Sequence, residues 1–107
     1  MFQDRILIVD DEEEIRRLIG MHIQEAGMSY TGVESGASAL ASMEESSYDL
    51  IVLDLMMDNI GGIEVLKRMR ESQMNTPVIV VSAIAEIDQI IETLGLGADD
   101  YITKPFS

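Results

Sequence analysis

"ILIVDDEEE", Ile6 to Glu14, decides the fold. Four branched apolar residues run directly into five carboxylates. An apolar run without polar alternation reads as a strand buried on both faces. That strand delivers Asp10 and Asp11 to its carboxyl end, where two adjacent charges repel each other and resist desolvation.

The same pattern recurs along the chain. "LIVLD", Leu50 to Asp54, is a second apolar strand that ends in a carboxylate. "PVIVVS", Pro77 to Ser82, is a third, ending in a hydroxyl. "DYITKPFS" reads as a last strand that brings Lys104 and then Pro105. "MSYTGVE" is short and polar, as an edge strand is. Between the strands, helical spacing predicts four helices. Ile15, Leu18, Ile19 and Ile23 mark the first, stopped by Gly27. "SGASALASMEESS" is a small-residue helix capped by Ser35. Ile63, Leu66 and Met69 mark the third, and Ile87, Ile90, Ile91 and Leu94 the fourth. The alternation predicts an α/β domain: five parallel strands, doubly wound, with helices on both faces. Such sheets bind ligands at the carboxyl ends of their strands.

A chain of 107 residues suits one domain, and 47% hydrophobic residues suffice for a core. The absence of Cys excludes disulfides and thiolate metal sites. No apolar run approaches the roughly 20 residues of a membrane span. The N-terminus lacks a secretory pattern, so a cytoplasmic protein is expected. Twenty acidic residues against seven basic ones give a net charge of −13. So acidic a chain is repelled by nucleic acid and anionic membrane, and direct contact with either is not expected.

The strand tips together hold Asp10, Asp11, Asp54, Ser82 and Lys104. Turn chemistry explains any one of these residues, but not their recurrence at every apolar strand. Clustered carboxylates need a compensating cation. Oxygen donors without His or Cys select a hard ion, and Mg²⁺ fits best. Mg²⁺ also bridges carboxylate and phosphoryl oxygens. A nucleophilic carboxylate, a cation, a lysine and a hydroxyl form a site suited to an acyl phosphate.

The stretches "ILIVDDEEEIR", "YDLIVLDLMM", "PVIVVSA" and "GADDYITKPF" resemble the receiver domains of bacterial two-component response regulators, along the whole chain. The resemblance implies a flavodoxin-like sheet of order 2-1-3-4-5. It implies that Asp54 accepts a phosphoryl group from a sensor histidine kinase. Asp11, Asp54 and the Met56 carbonyl would hold Mg²⁺ directly, and Asp10 through water. Ser82 and Lys104 would contact the phosphoryl group, Tyr101 would turn inward with Ser82, and the Lys104–Pro105 bond would be cis. It implies a switch that controls an attached output domain or a downstream protein, with no catalysis beyond self-phosphorylation and self-dephosphorylation.

The chain departs from the family in "DLMMDNIGG". Asp58 stands where the family often has Pro, and Gly61 replaces a capping Asp, which predicts a looser loop. Glu12, Glu13 and Glu14 suit the N-terminus of a helix through its macrodipole. His22, the single histidine, is expected to be partly buried. The alternatives are a Mg²⁺-dependent phosphatase with an Asp nucleophile, a flavin module and a non-phosphorylated docking receiver. Met56 lacks the acid that such a phosphatase carries two residues after its nucleophile, and "DDEEE" would repel a flavin phosphate. The intact Asp10, Asp11, Asp54, Ser82 and Lys104 set argues against the docking receiver. The family continues into a fifth helix after "KPFS". The chain is therefore expected to be a receiver domain, residues 1–107, truncated before that helix, and to self-associate through the face so exposed.

Overall fold

The computed structural model describes residues 4–104. The Lys104–Pro105 bond lies outside the described residues. The elements alternate as expected: β1 (Arg5–Val9), α1 (Glu13–Glu25), β2 (Ser29–Val33), α2 (Gly36–Glu45), β3 (Leu50–Leu53), α3 (Gly62–Glu71), β4 (Val78–Ser82), α4 (Ile87–Gly95) and β5 (Asp100–Thr103). All strand pairs are parallel and the order is β2-β1-β3-β4-β5. The flavodoxin-like sheet is thus present, with four helices among the described residues.

The central strands are apolar throughout because helices pack on both faces of the sheet, although Ile79 of β4 is only half-buried. Leu7, Val9, Ile51, Leu53, Val78 and Val80 pack with Ala39 and Met43 of α2 and Val65, Leu66 and Met69 of α3. Ile6, Ile8, Val52 and Val81 point to the opposite face, where Ile23 and Ile19 of α1 meet them. Ser35 caps α2 as predicted, its hydroxyl accepting from the Ser38 N–H at 3.1 Å. Gly27 ends α1 with φ of 85°, a conformation costly for other residues.

Two helical faces are open to solvent, and His22, expected to be partly buried, lies on one of them. The apolar stripe of α4 faces outward: Ile87 is 71% exposed and Ile91 63%. Its inward anchor is Thr93, fully buried, whose hydroxyl donates to the Gln89 carbonyl at 2.7 Å. His22 is exposed, 3.9 Å from Glu25. It shares a helical face with Leu18, also exposed, whereas Ile19 and Ile23 turn inward. Periodicity identifies an apolar face without identifying what covers it.

No helix among the described residues is long and apolar enough to cross a membrane.

Candidate functional site

Parallel pairing carries the ladder one residue past the strands and sets the site. The Asp10 N–H donates to the Val33 carbonyl at 3.1 Å, and the Asp54 N–H to the Val9 carbonyl at 2.9 Å. The Lys104 N–H donates to the Ser82 carbonyl at 2.8 Å. Asp10 and Asp54 thereby leave the adjacent strands β1 and β3, and Lys104 leaves β5 beyond β4, all at the carboxyl ends of the sheet.

Lys104 gathers them. Its Nζ donates to Asp10 Oδ2 at 2.8 Å and lies 3.5 Å from both Asp54 Oδ2 and Glu12 Oε1. Asp10 is buried and held at every polar atom. Its Oδ1 accepts from the Glu12 N–H at 2.9 Å, and its carbonyl accepts from Arg16 Nη1 at 2.7 Å. Asp11 is exposed, and its carboxylate oxygen lies within 4.8 Å of those of Asp10 and Glu12. Asp54 is 4% exposed, and its Oδ1 accepts from the Met56 N–H at 3.2 Å.

The electrostatics follow from this geometry. Burial pushes the Asp54 carboxyl above the usual 3.8; the Met56 N–H and Lys104 oppose the shift, and the charges of Asp10 and Asp11 add to it. Burial works against the Lys104 ammonium, but the Asp10 hydrogen bond and the charges of Asp54, Asp10 and Glu12 outweigh it. Its pKa rises above 10.5.

Ser82 is fully buried at the tip of β4, its hydroxyl accepting from the Ile84 N–H at 3.2 Å. The half-buried Tyr101 packs against the core, and its hydroxyl donates to the Ile84 carbonyl at 2.6 Å. The two proposed switch residues are thus tied to one residue of the β4–α4 connection. Asp58 is exposed, in keeping with a solvated loop carboxylate. The loop is less free than its sequence suggests, because Met57 and Ile60 pack against the core.

Sequence reasoning undervalued Glu12. It occupies the N-cap of α1, but its side chain makes no cap bond and lies instead beside Lys104. Arg16 was also missed as the clamp on the Asp10 backbone; its spacing gave no signal, since a carbonyl six residues back is not a local partner.

The donor set is hard oxygen throughout and suits a divalent cation such as Mg²⁺.

Comparison with known proteins agrees with this geometry. The response regulator receiver domain family matches residues 6–107. The transcriptional regulatory protein ResD of Bacillus subtilis is 43% identical over 105 residues, 98% of this chain and 43% of that protein. The Francisella response regulator 1452 receiver domain superposes with a TM-score of 0.94 at 40% identity, covering 98% of this chain and 87% of that one. The Thermotoga maritima response regulator TrrA, solved in complex with Mg²⁺-BeF, gives 0.87 at 33% identity, covering 98% and 90%. The chain spans less than half the length of the curated relatives it matches. With the fold, the strand-tip constellation and these likenesses in agreement, the chain belongs to the response regulator receiver domains.

Proposed function

We propose that Asp54 is the phosphoacceptor of a two-component switch, supplied by the phosphohistidine of a sensor kinase. The observation that carries this is the buried Asp54 carboxylate 3.5 Å from a lysine that Asp10 holds in place. An Asp54 oxygen forms a bond to phosphorus as the P–N bond of the donor breaks, and the imidazole nitrogen leaves with the electron pair. Lys104 would neutralise a phosphoryl oxygen, and Ser82 would donate a hydroxyl. Asp11, Asp54 and the Met56 carbonyl would hold Mg²⁺, with Asp10 acting through water. Mg²⁺ held there would supply positive charge to offset the carboxylates and the transferred group. A charge of about −2 on Asp54 then biases a two-state equilibrium through Ser82, Tyr101 and their common partner Ile84. Relatives named as transcriptional regulators support a transcriptional output carried outside these residues, and the kinase reading implies the cytoplasm.

The test is acetyl phosphate with and without Mg²⁺, followed by mass spectrometry. We expect one phosphoryl group, on Asp54, only with Mg²⁺. A phosphoryl gain by Asp54→Ala overturns the assignment.

Lifetime is set by what can orient a water at the acyl phosphate. Met56 is exposed and Ile84 half-buried, and neither is a general base. Self-dephosphorylation should be slow, and Met56→Asn with Ile84→Lys should quicken it by about tenfold or more, measured as decay of the phosphorylated mass.

Ile19, Val52, Ile79, Val81 and Ile102 line a wholly apolar groove of about 310 Å³ on the α1 side of the sheet. Leu18 and Met21 are exposed on α1 as well. Burying a large aliphatic side chain is worth about 1.5–3 kcal/mol. We propose that chains of these 107 residues pair across this face. Sedimentation velocity at rising concentration should show a dimer; a persistent monomer at high concentration refutes it.

A further inference from the structure

The loop that carries the phosphoacceptor into α3, residues 54–61, has few ties of its own. Asp58 and Asn59 are exposed, and Asn59 is left-handed with φ of 63°. Its internal hydrogen bonds run from the Met56 N–H to Asp54 Oδ1 and from the Gly62 N–H to the Leu55 carbonyl, at 3.2 and 3.1 Å. The loop is instead seated from outside. Gly36, the buried first residue of α2, lies directly beneath Ile60. A Cβ at Gly36 would come within 2.8 Å of Ile60 Cγ2 and 2.9 Å of its Cβ, and closer still to its carbonyl oxygen. A side-chain tip can swing away from such a contact, but a backbone carbonyl moves only with its loop. Gly62 forms the second wall: a Cβ there would lie 2.7 Å from Leu55 Cα and closer to the Asp54 carbonyl. Asp58 cannot stiffen the loop from within, since only proline fixes φ.

We propose that Gly36 is a positioning residue for phosphoryl transfer: its bare α-carbon is the seat that holds Ile60, and with it the Met56 backbone and the Asp54 carboxylate. The proposal rests on the reading of Asp54 and Asp11 as phosphoacceptor and cation ligand. A methyl group at position 36 lifts Ile60 and shifts the loop by a fraction of an ångström. Misplacement by 1 Å costs about a hundredfold in rate, so a smaller shift costs roughly tenfold.

The experiment uses the full chain in three variants. Gly36→Ala adds the methyl group, and Ile60→Ala removes the seated side chain while leaving α2 unchanged. Gly95→Ala is the control, since a Cβ there meets nothing within 4 Å. Amide hydrogen exchange without metal is read at Met56 and Gly62 against Leu7 in the core. Mn²⁺ affinity by electron paramagnetic resonance and acetyl phosphate kinetics follow at a temperature where each variant is folded. Gly36→Ala should speed exchange at Met56 and Gly62 by about tenfold with Leu7 unchanged, weaken Mn²⁺ by a similar factor, and lower the phosphorylation rate at saturating Mg²⁺. Ile60→Ala should do the same by a smaller factor. Gly36→Ala with wild-type loop exchange and wild-type Mn²⁺ affinity overturns the proposal. If Gly36→Ala does not fold, unchanged loop exchange in Ile60→Ala overturns it. Asp11→Asn separates the two readings: if it binds Mn²⁺ as the wild type does, the cation-site reading fails, while faster loop exchange in Gly36→Ala still supports the seat.

Discussion

Asp11→Ala should weaken Mg²⁺ binding by roughly a hundredfold or more, while Glu13→Ala leaves it within about a factor of two. Asp10 is already committed to Lys104 and to the Glu12 N–H, whereas Asp11 is exposed beside it. The variant also tests the electrostatic cost of the site. Folding raises the Asp54 pKa above 3.8, so the folded state favours the proton. The stability gained from this preference is fully present below 3.8 and is lost as pH rises through the raised value. Lys104 is raised above 10.5, so its contribution is present below 10.5 and lost as pH rises through its own raised value. Burial therefore penalises the charged form of Asp54 in cation-free protein, and Mg²⁺ should relieve that penalty. At about a hundred times the dissociation constant, linkage gives about 2.7 kcal/mol, or roughly 10–20 °C in melting temperature for a domain of this size. Calorimetry with and without Mg²⁺ should show that rise in the wild type and almost none in Asp11→Ala. An equal rise in both would remove Asp11 from the site.

The second large effect lies at the other end of the sheet. Arg70→Ala should cost about 3 kcal/mol, read as a fall in the urea midpoint. The Arg70 guanidinium donates to the Met74 and Thr76 carbonyls at 2.7 and 3.0 Å and twice to the Gly97 carbonyl, at 3.2 and 2.7 Å. It thereby joins the end of α3 to the turns that precede β4 and β5. Removing it leaves three partly buried carbonyls without this donor. Arg70→Lys should recover less than half of the loss, because an ammonium cannot reproduce the planar fork. A loss below about 1 kcal/mol in Arg70→Ala would show that water replaces the clamp.

The sheet and its tips were legible because burial on both faces leaves a continuous apolar run, and a polar residue ending such a run has to face the strand-end cleft. Asp10, Asp54, Ser82 and Lys104 were visible on that ground. Arg70 was less visible, although it stands four residues after Leu66 on the apolar side of α3, where a charge implies a hidden partner. Its partners are carbonyls up to 27 residues away, and no local pattern encodes them. The exposed His22 was misjudged because helical spacing fixes a face and not its neighbour, a limit that the outward stripe of α4 also shows. Glu12 was read through the macrodipole, which acts on any acid in the first turn. Its link to Lys104 depends on a strand contributed by the far end of the chain.

The Lys104–Asp10 contact spans 94 positions of sequence. Such non-local contacts form late and slow the folding of a domain. During synthesis, Asp54 leaves the ribosome long before the lysine that completes its surroundings. A nascent or incompletely folded chain would then present an aspartate without its ammonium, a poor acceptor for a phosphoryl group. If Asp54 is the acceptor proposed above, the longest-range contact of the site would make transfer wait for β5, because Lys104 reaches Asp10 and Asp54 only once that strand has docked.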